Sequence, residues 1–404
     1  MGPTGPKAPM RRVAVIGAGP AGLYAGYLLK RAFPAAEVGI FEQNPADATF
    51  GFGVVFSDRA LEFLREDDPE THASIAPHME VWDDLTVRHR GQEIRIDGIG
   101  FAAIGRLDLL RLLQARVRSA GLSPVFDHVV ESLDAFGDVD LIVGADGVNS
   151  LVRRLHADGF GASQGELQNR FVWYGARRPF DTLSQTFVTT PAGAFNAHHY
   201  RYTPEMSTFI VETTPQVWQR AGFAGMDEAQ TKAACEAAFA EVLQGAPLVS
   251  NRSVWRRFPQ IGNENWWLRD GSRHLVLIGD ALRTAHFSIG SGTRLALEDA
   301  IALVRALQAA PGDLEAGLAQ FEAARRPVVD KLVAAANASA AWYEDFDRHM
   351  ALAPWDFAYS YIRRAGRVSD ERLRQVAPRF MAGHEAATAQ STGTARTDTR
   401  GAGR

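Results

Sequence analysis

The sequence predicts a mixed α/β fold in which a domain with a parallel sheet is interrupted by a mostly antiparallel sheet and followed by C-terminal helices. The chain opens as strand, glycine turn, helix and strand in "RRVAVIGAGPAGLYAGYLLKRAFPAAEVGIFEQN". Continuous apolar runs, typical of strands buried on both faces, return in "DVDLIVGADG" and "HLVLIGDA". Between them, alternating aromatic and β-branched residues over 165–260 indicate antiparallel strands. One sheet is therefore inserted into the domain of the other.

The composition is that of an ordinary globular protein, with 404 residues of which 46% are hydrophobic and 22% charged. A net charge of -4 predicts no general attraction to nucleic acid or to an anionic membrane. No apolar run approaches the roughly 20 residues that span a bilayer. We interpret residues 1–9 as a loose leader without the apolar core of a secretory signal. Cys235 is the single cysteine, which excludes an internal disulfide and fits a reducing, cytoplasmic compartment.

The first turn carries a glycine pattern that indicates a dinucleotide. Gly17, Gly19 and Gly22 lie between the first strand and the helix Ala21–Arg31. Gly17 permits a tight turn, Gly19 lets a pyrophosphate approach the backbone, and Gly22 allows close helix packing. The free N–H groups of the helix N-terminus favour the phosphates. Glu42, which ends the second strand, is placed to accept hydrogen bonds from a ribose. These residues are compatible with binding of either FAD or NAD.

Two later strand ends extend this Rossmann-like site. Asp146 lies in "GADG" and Asp280 lies in "GDA", each directly after a buried strand. An acid at Asp146 is also compatible with a local turn alone. An NAD domain has no use for the second turn, whereas FAD has a ribityl chain whose hydroxyls a carboxylate can hold. We assign both residues to cofactor binding and favour FAD.

The turn before the last long helices fits a planar ring. Gly290, Gly292 and Thr293 precede the amphipathic stretch "RLALEDAIALVRAL". The first N–H groups of that helix have no intrahelical partners. Against a flavin they would bind the N1–C2=O edge, where reduction places negative charge that the helix dipole stabilises. The glycines remove side chains that would block this approach.

These elements predict the domain organisation. The FAD-binding domain is discontinuous and covers residues 10–84, 100–164 and 268–345. The hairpin region 85–99 and residues 165–267, with one helix near 227–243, form the substrate-binding sheet. A C-terminal helical segment covers 346–384, and the polar tail 385–404 is expected to be disordered.

The three motifs, in their order and spacing over residues 10–345, resemble those of single-component, class A flavoprotein aromatic hydroxylases. The segments "TFGFGVVFSDRAL", "FVWYG", "STFIVE", "NENWW" and "TAHFSIGSGT" are similar to a narrower branch, the salicylyl-CoA 5-hydroxylases and 2-aminobenzoyl-CoA monooxygenases. The violacein-pathway tryptophan hydroxylase is a more distant relative. The resemblance implies tightly bound FAD, transient NADH or NADPH, and transfer of oxygen from a flavin C4a-hydroperoxide to an aromatic ring. It also implies that Arg106, in "GRLDLL", contacts FAD.

One residue departs from the family pattern. Many members have a histidine where this chain has Arg283, whereas His286-Phe287-Ser288 follows the "HFSIG" variant of the branch. The departure leaves any role for a histidine at that position in doubt.

The predicted chemistry needs a dry cavity, because a hydroperoxide exposed to water decays. Strand alternation in "AHHYRY" places His198 and Tyr200 on one face and His199 on the other. We assign His198, Tyr200 and His286 to catalysis, through hydrogen bonds to substrate or flavin. The structural alternatives are a satisfied core histidine for His198 and loop bracing for His286. Because His198 and His199 point apart, no metal site is expected.

Apolar contacts complete the predicted pocket. Val55 and Phe287 are expected to touch flavin or substrate. Trp173 and Tyr174 are neighbours in a strand, so only one of them can point inward, and we assign Tyr174 to substrate binding. Val55 and Phe287 could instead be core.

The sequence thus predicts an aromatic-ring hydroxylase that consumes O2 and NAD(P)H and acts on a small aromatic molecule. An aryl-CoA thioester such as salicylyl-CoA is the favoured substrate, and its phosphates could meet Arg201, Arg256, Arg257 or Arg283. Two alternatives stay open. One is hydroxylation of a free indole, anthranilate or quinolone, and the other is a flavin-binding subunit that needs a partner. The C-terminal helices are compatible with a homodimer.

Overall fold

The computed structural model describes residues 10–57 and 61–398, with side chains as far as residue 390. The leader predicted at 1–9 lies outside the described residues. The first part of the chain contains β1 (Arg12–Ile16), α1 (Pro20–Ala32), β2 (Glu37–Phe41), β3 (Gly53–Ser57), α2 (Glu62–Asp67), α3 (Pro69–Ile75), β4 (Glu80–Trp82), β5 (Leu85–His89), β6 (Gln92–Ile96), β7 (Phe101–Gly105), α4 (Arg106–Ser119), β8 (Leu141–Gly144), α5 (Leu151–Leu155) and α6 (Ala157–Phe160).

The middle of the chain is rich in strands and the end is helical. The middle contains β9 (Ala162–Ala176), β10 (Leu183–Thr190), β11 (Gly193–Arg201), β12 (Ser207–Thr213), α7 (Pro215–Arg220), α8 (Glu228–Ala238), α9 (Ala240–Leu243), β13 (Leu248–Val249), β14 (Arg256–Asn263) and β15 (Trp267–Asp270). The end contains β16 (Arg273–Leu277), α10 (Gly292–Ala309), α11 (Leu314–Glu344), α12 (Phe346–His349), α13 (Pro354–Arg363), α14 (Asp370–Val376) and α15 (Pro378–Asp398).

The predicted fold class is confirmed, and its parallel part is a five-stranded sheet in the order β15-β16-β8-β1-β2. Strands β2, β1, β8 and β16 run parallel to one another, and β15 pairs antiparallel with β16. The last four residues of β1 and all of β8 are buried, as expected for strands covered on both faces. Because parallel strands end at the same edge, Gly17, Ala145 and Gly279 come together after β1, β8 and β16.

The second sheet has eight strands in the order β13-β9-β12-β11-β10-β5-β6, with β14 also paired to β9. Its pairs are antiparallel except for β10 with β5. The hairpin of β5 and β6 joins this sheet although it precedes β8 in the sequence. A third sheet, in the order β3-β7-β4, lies between these regions in the chain. The domain boundaries given above stay a prediction.

The two faces of the eight-stranded sheet are covered by different helices. One face packs on α7, α8 and α9 in a cluster that includes Phe209, Phe239 and Cys235. The other face packs on the C-terminal helices through residues such as Phe187 and Trp342. Cys235 is 1% exposed. The C-terminal helices therefore cover the sheet face that can carry a site.

The end of the chain differs from the prediction. Helix α15 continues to Asp398, so the segment from 385 to 398 is helical and not an irregular tail. Its first turns pack on the sheet through Phe380 and Met381, and helix formation propagates from that anchor. The rest of the predicted tail, residues 399–404, lies outside the described residues. Within residues 10–57 and 61–398, no helix has the length and apolar character needed to cross a membrane.

Candidate active site

The three glycines of the first turn differ in what surrounds them. Gly17 has φ of +100°, and a Cβ there would lie 2.4 Å from the carbonyl oxygen of Ala145. A Cβ at Gly22 would lie 1.9 Å from the carbonyl oxygen of Gly17. A Cβ at Gly19 would meet no heavy atom within 4 Å. Gly17 and Gly22 thus allow internal packing, whereas Gly19 keeps an open space in front of the turn.

The N-terminus of α1 faces that open space without a side-chain cap. Gly19 is its N-cap residue, and no acidic residue occupies the first turn. Glu42 follows β2, and its Oε2 accepts a hydrogen bond of 2.8 Å from the Ala18 N–H. Its Oε1 accepts from the backbone and side chain of Asn44. The turn therefore offers uncapped N–H groups to an anion, and its acid is anchored at the turn's edge.

Arg106 and Asp280 interact electrostatically, and neither side chain has a hydrogen-bond partner among the described residues. The Arg106 guanidinium, at the start of α4, has no hydrogen-bond or ion-pair partner among the described residues. Asp280 follows β16 and keeps accessible surface although protein atoms surround it. Burial raises the pKa of Asp280, and the charges of Arg106 and Arg283 oppose that rise. A neighbouring carboxylate and guanidinium without hydrogen-bond partners among the described residues fit the ribityl hydroxyls and phosphates of FAD.

Asp146 has a local structural role. Its Oδ2 accepts hydrogen bonds from the N–H groups of Leu151 and Val152, at 2.6 and 3.3 Å, at the start of α5. Its Oδ1 is buried without a partner among the described residues. The turn explanation therefore accounts for one oxygen, and cofactor contact by the other stays a prediction.

The N-terminus of α10 is the second uncapped helix end in this region. Gly290 has φ of +59°, and a Cβ there would lie 3.0 Å from Cγ1 of Val55 in β3. Gly292 borders open space, since a Cβ there would meet no heavy atom within 4 Å. Ser291 makes no side-chain cap, and the first turn, which includes Thr293, has no acidic residue. The structure thus brings Val55 and the glycine turn together and leaves N–H groups at the start of α10 without a side-chain cap.

Arg283 belongs to a buried ion network behind this turn. It is 7% exposed, and its Nη1 lies 2.7 Å from Oδ2 of Asp299, which is fully buried. Arg325 pairs with the other oxygen of Asp299 at 2.9 Å. The suggestion that Arg283 meets a substrate phosphate is therefore wrong, because its charge is already buried against Asp299. Arg283, the residue that departs from the family pattern, therefore supports the turn from behind.

The inserted sheet presents one face to these turns. In register, Gln185 pairs with His198, His198 with Ile210, and Ile210 with Trp173, so their side chains share a face. Tyr200 lies on the same face and donates a hydrogen bond of 3.0 Å to the Gly53 carbonyl. Burial raises the pKa of Tyr200, so its hydroxyl is a neutral donor that links β11 to β3.

Tyr174 lies on the opposite face, and its assignment to substrate binding is wrong. It is completely buried and packs with Cys235 and Phe239 under α8 and α9. The neighbouring Trp173 points to the site face instead, where a Cβ on Gly51 would approach it to 3.1 Å. Alternation predicted that only one of the two could point inward, but not which one.

His198 is held in a buried polar group. Its Nδ1 lies 2.9 Å from Nε2 of Gln185, and Tyr343 donates to Oε1 of Gln185 at 3.1 Å. Its Nε2 is buried without a partner and lies 3.9 Å from Oε2 of Glu212, which also lacks one. Burial raises the pKa of Glu212 to about 8, and burial lowers the pKa of His198 well below its usual value. Both groups therefore favour their neutral forms.

His286 lies in a cluster of aromatic rings. Its ring centre is 4.2 Å from that of Phe287 and 4.9 Å from that of Phe258. Phe287 also lies 5.1 Å from Phe171 and 5.2 Å from His198. Burial lowers the pKa of His286 to about 3. We call the rings of His198, His286, Phe171, Phe258 and Phe287 the ring cluster. Its three phenylalanines remain partly exposed.

Sequence reasoning did not identify Gln185, Glu212, Tyr343 or Arg364. Gln185 and Glu212 lie on β10 and β12, the two strands that pair with the strand of His198, at positions with inward alternation. Alternation could have found them, had the inward face been known. Tyr343 and Arg364 come from the C-terminal helices, which carried no motif. In the described part of the chain, no group of three or more His, Cys, Asp or Glu residues could hold a metal ion.

The remaining candidate arginines differ in how many of their N–H donors are already paired. Arg201 pairs with Glu80 at 2.7 Å and donates to three backbone carbonyls, so its donors are occupied. Arg257 lies 3.4 Å from Glu166. Arg256 is exposed and has no partner among the described residues. It pairs in register with Phe171 of the ring cluster.

Comparison with known proteins identifies relatives over most of the chain. Residues 10–336 match the family described as FAD binding domain. The chain is 41% identical over 364 residues to a salicyloyl-CoA 5-hydroxylase of a Streptomyces species, covering 88% of this chain and 70% of that relative. It is 37% identical over 332 residues to the 3-hydroxy-4-methyl-anthranilyl-(aryl-carrier protein) 5-monooxygenase of Streptosporangium sibiricum, covering 82% and 89%. A solved 2-methyl-3-hydroxypyridine-5-carboxylic acid oxygenase has the same fold, with a TM-score of 0.67 at 16% identity over 91% and 96% of the two chains.

Proposed function

The chain belongs to the FAD binding domain family and is an FAD-dependent aromatic monooxygenase, and from this premise we propose that its substrate is an aromatic acid linked as a thioester to coenzyme A. The observation that carries the proposal is the shared chemistry of two relatives. Their names specify a salicyloyl-CoA and an anthranilyl group on an aryl-carrier protein, and both are aromatic acids in thioester linkage. The aromatic ring would carry a hydroxyl or amino group.

The proposed reaction also consumes NADH or NADPH as the source of two electrons. Bound FAD would take up these electrons and activate O2, so that one oxygen atom enters the ring and the other leaves as water. The chain would hold the pyrophosphate at Gly19 and the uncapped start of α1. Arg106 and Asp280 would contact the middle of FAD, and the free N–H groups at the start of α10 would stabilise negative charge on the flavin edge.

The ring cluster is the proposed site of the aromatic substrate. Phe171, Phe258 and Phe287 present partly exposed aromatic surface next to two buried histidines. Such a wall favours a flat apolar ring and excludes water from the reacting atoms. His198 and His286 are neutral at physiological pH, because burial lowers the pKa of each. They would therefore orient the substrate by hydrogen bonds without adding charge.

The proposed path of the thioester arm follows β14. Arg256 begins this strand, is exposed, and shares its register position with Phe171. A ring held against Phe171 and Phe258 would leave the arm near Arg256 and Arg257. A free guanidinium there suits the phosphates of coenzyme A. Of the four arginines named from the sequence, Arg256 has the most available donors.

Steady-state turnover tests this proposal with three forms of one acid. The purified FAD-loaded chain receives salicylyl-CoA, the N-acetylcysteamine thioester of salicylate, or free salicylate. We expect NAD(P)H consumption coupled to a product that has gained one oxygen atom with both thioesters and little product with the free acid. Equal turnover of free salicylate would remove the thioester claim. Bound flavin that consumes no NAD(P)H with any of them would favour the subunit that needs a partner.

An arginine variant tests the path of the arm. Arg256→Ala should raise KM for salicylyl-CoA about fivefold, which corresponds to roughly 1 kcal/mol for one exposed charge contact. KM for the N-acetylcysteamine thioester, which lacks phosphates, should not change. Arg269→Ala replaces an exposed arginine of β15 and is the matched control. Equal changes for the two thioesters would contradict phosphate binding at Arg256. If the chain turned over a carrier-protein thioester but not salicylyl-CoA, the substrate would instead be the aromatic acid bound to that carrier protein.

A further inference from the structure

From the hydrogen-bond chain behind His286, we infer that Arg364 is a positioning residue, which fixes His286 as the tautomer that carries its proton on Nε2. His286 thereby presents an N–H donor to an oxygen atom of the aromatic substrate. The inference rests on the proposed function for the substrate itself, since that function places the aromatic ring beside His286. The tautomer can be measured without any substrate.

The direction of the chain follows from the donors that each group has. The Nε–H of Arg364 donates to Oγ of Ser339 at 3.0 Å, and a guanidinium has no acceptor. Oγ of Ser339 lies 2.7 Å from Oγ of Ser288, which lies 2.8 Å from Nδ1 of His286. With Arg364 as the fixed donor, Ser339 donates to Ser288, and Ser288 donates to Nδ1. The single ring proton then resides on Nε2.

The opposite direction would leave a buried hydroxyl hydrogen unpaired. If Nδ1 donated to Ser288 and Ser288 to Ser339, the Ser339 hydrogen would have no acceptor among the described residues. Ser339 is 0% exposed and Ser288 is 8% exposed, so water does not replace that acceptor. An unpaired buried polar hydrogen is disfavoured, and the forward direction satisfies every member of the chain.

Arg364 is itself held in place by two elements. Its Nη1 donates to the Tyr361 carbonyl and its Nη2 to the Ser288 carbonyl, each at 2.8 Å. Its guanidinium carbon lies 3.8 Å from the ring centre of Tyr361. The residue directly follows α13, so a C-terminal helix sets the orientation of a ring in the turn before α10. Nε2 of His286 has no partner among the described residues, which leaves its hydrogen for a ligand.

His198 has a separate chain that serves as an internal comparison. Asn196 and Tyr343 both donate to Oε1 of Gln185, at 3.5 and 3.1 Å. Nε2 of Gln185 is then the donor to Nδ1 of His198. The two histidines touch Phe287 from different elements, and no side chain belongs to both chains. The chains meet only at the C-terminal helices, where Tyr343 and Tyr361 share a side-chain hydrogen bond and the Tyr361 carbonyl accepts from Arg364. A change in one chain should therefore affect the other histidine less than its own.

Long-range ¹H–¹⁵N NMR of the FAD-loaded, histidine-labelled full chain tests the inference, with His286→Gln identifying the signal. We expect Nδ1 of His286 to resonate as an unprotonated nitrogen and Nε2 as a protonated one, with no change between pH 6 and 8. Ser339→Ala and Arg364→Gln should each shift the tautomer ratio several-fold toward Nδ1–H. Arg363→Gln, at the exposed neighbouring position, is the arginine control, and Tyr343→Phe should move the His198 signal more than the His286 signal.

Two results would overturn the inference. One is a protonated Nδ1 in the unaltered chain, and the other is an unchanged tautomer in Ser339→Ala, whose small substitution preserves folding as judged by flavin absorbance. Arg364→Lys, which keeps a donor, should restore the original tautomer at least in part. Loss of the Nε2–H donor should also raise the dissociation constant of salicylyl-CoA about two- to tenfold. If the tautomer is as assigned but no aromatic thioester is hydroxylated, the proposed function fails and the assignment of Arg364 stands.

Discussion

Replacement of Gly19 by alanine should weaken FAD binding while leaving the apoprotein folded. Gly19 has φ of -71° and ψ of -179°, a conformation that alanine adopts without strain. A Cβ at this position meets no heavy atom within 4 Å, so the methyl group enters the space in front of α1. That space is where the backbone must approach a pyrophosphate.

The expected magnitudes follow from this geometry. Alanine reduces the entropy of the unfolded chain, which stabilises the protein by about 0.4–1 kcal/mol. Alanine is also a poorer N-cap than glycine by roughly 0.5–1 kcal/mol, and this offsets the gain. The free energy of unfolding of the apoprotein should therefore change by less than about 1 kcal/mol. FAD affinity should fall at least about tenfold, or 1.4 kcal/mol, because the methyl group displaces the phosphates.

Two measurements on the apoprotein separate these effects, and Gly22→Ala provides the contrast. Thermal unfolding gives the stability, and quenching of flavin fluorescence gives the FAD dissociation constant. A Cβ at Gly22 would lie 1.9 Å from the Gly17 carbonyl oxygen, so this variant should lose about 1–3 kcal/mol of stability or more. If Gly19→Ala bound FAD with the original affinity, or unfolded like Gly22→Ala, the assignment of Gly19 to phosphate approach would be refuted.

Three further predictions test other parts of the site. Because the pKa of Glu212 is raised to about 8, the folded chain keeps a proton that the unfolded chain loses, and stability falls as the pH rises from about 4.5 to 8. Urea unfolding at pH 5 and 8 should show that Glu212→Gln removes up to about 4 kcal/mol of this decline in stability. The surface control Glu205→Gln should keep the decline. Parallel declines in the unaltered chain and both variants would contradict the raised pKa. Asp280→Asn should weaken FAD binding about tenfold in the fluorescence titration while the apoprotein changes by less than about 1 kcal/mol, and unaltered affinity would remove Asp280 from the cofactor site. Tyr174→Phe should leave kcat unchanged. Its free energy of unfolding should be equal or up to about 1 kcal/mol higher, because the substitution deletes a buried hydroxyl without a partner. A folded but inactive variant would show that Tyr174 does reach the substrate.

The sequence by itself determined the glycine turns and the strand-end acids that we propose as the cofactor site. Glycine between a buried strand and a helix specifies a turn of defined geometry, and acids directly after parallel strands meet at one sheet edge. Both are consequences of backbone sterics and of strand direction, so Gly17, Gly19, Gly22 and Asp280 could be located without a structure. Strand alternation likewise separated His198 from His199 and Trp173 from Tyr174.

Only the tertiary structure decided which face of the inserted sheet meets the cofactor turns. Alternation has two solutions, and the choice between them depends on helices that lie far away in the sequence. For that reason Tyr174 was assigned to the wrong face, and Arg283, one of four arginines named as possible phosphate contacts, is buried against Asp299. Tyr343 and Arg364 reach the site because α11 and α13 pack on the sheet, and no motif marks residues whose role depends on such long-range packing.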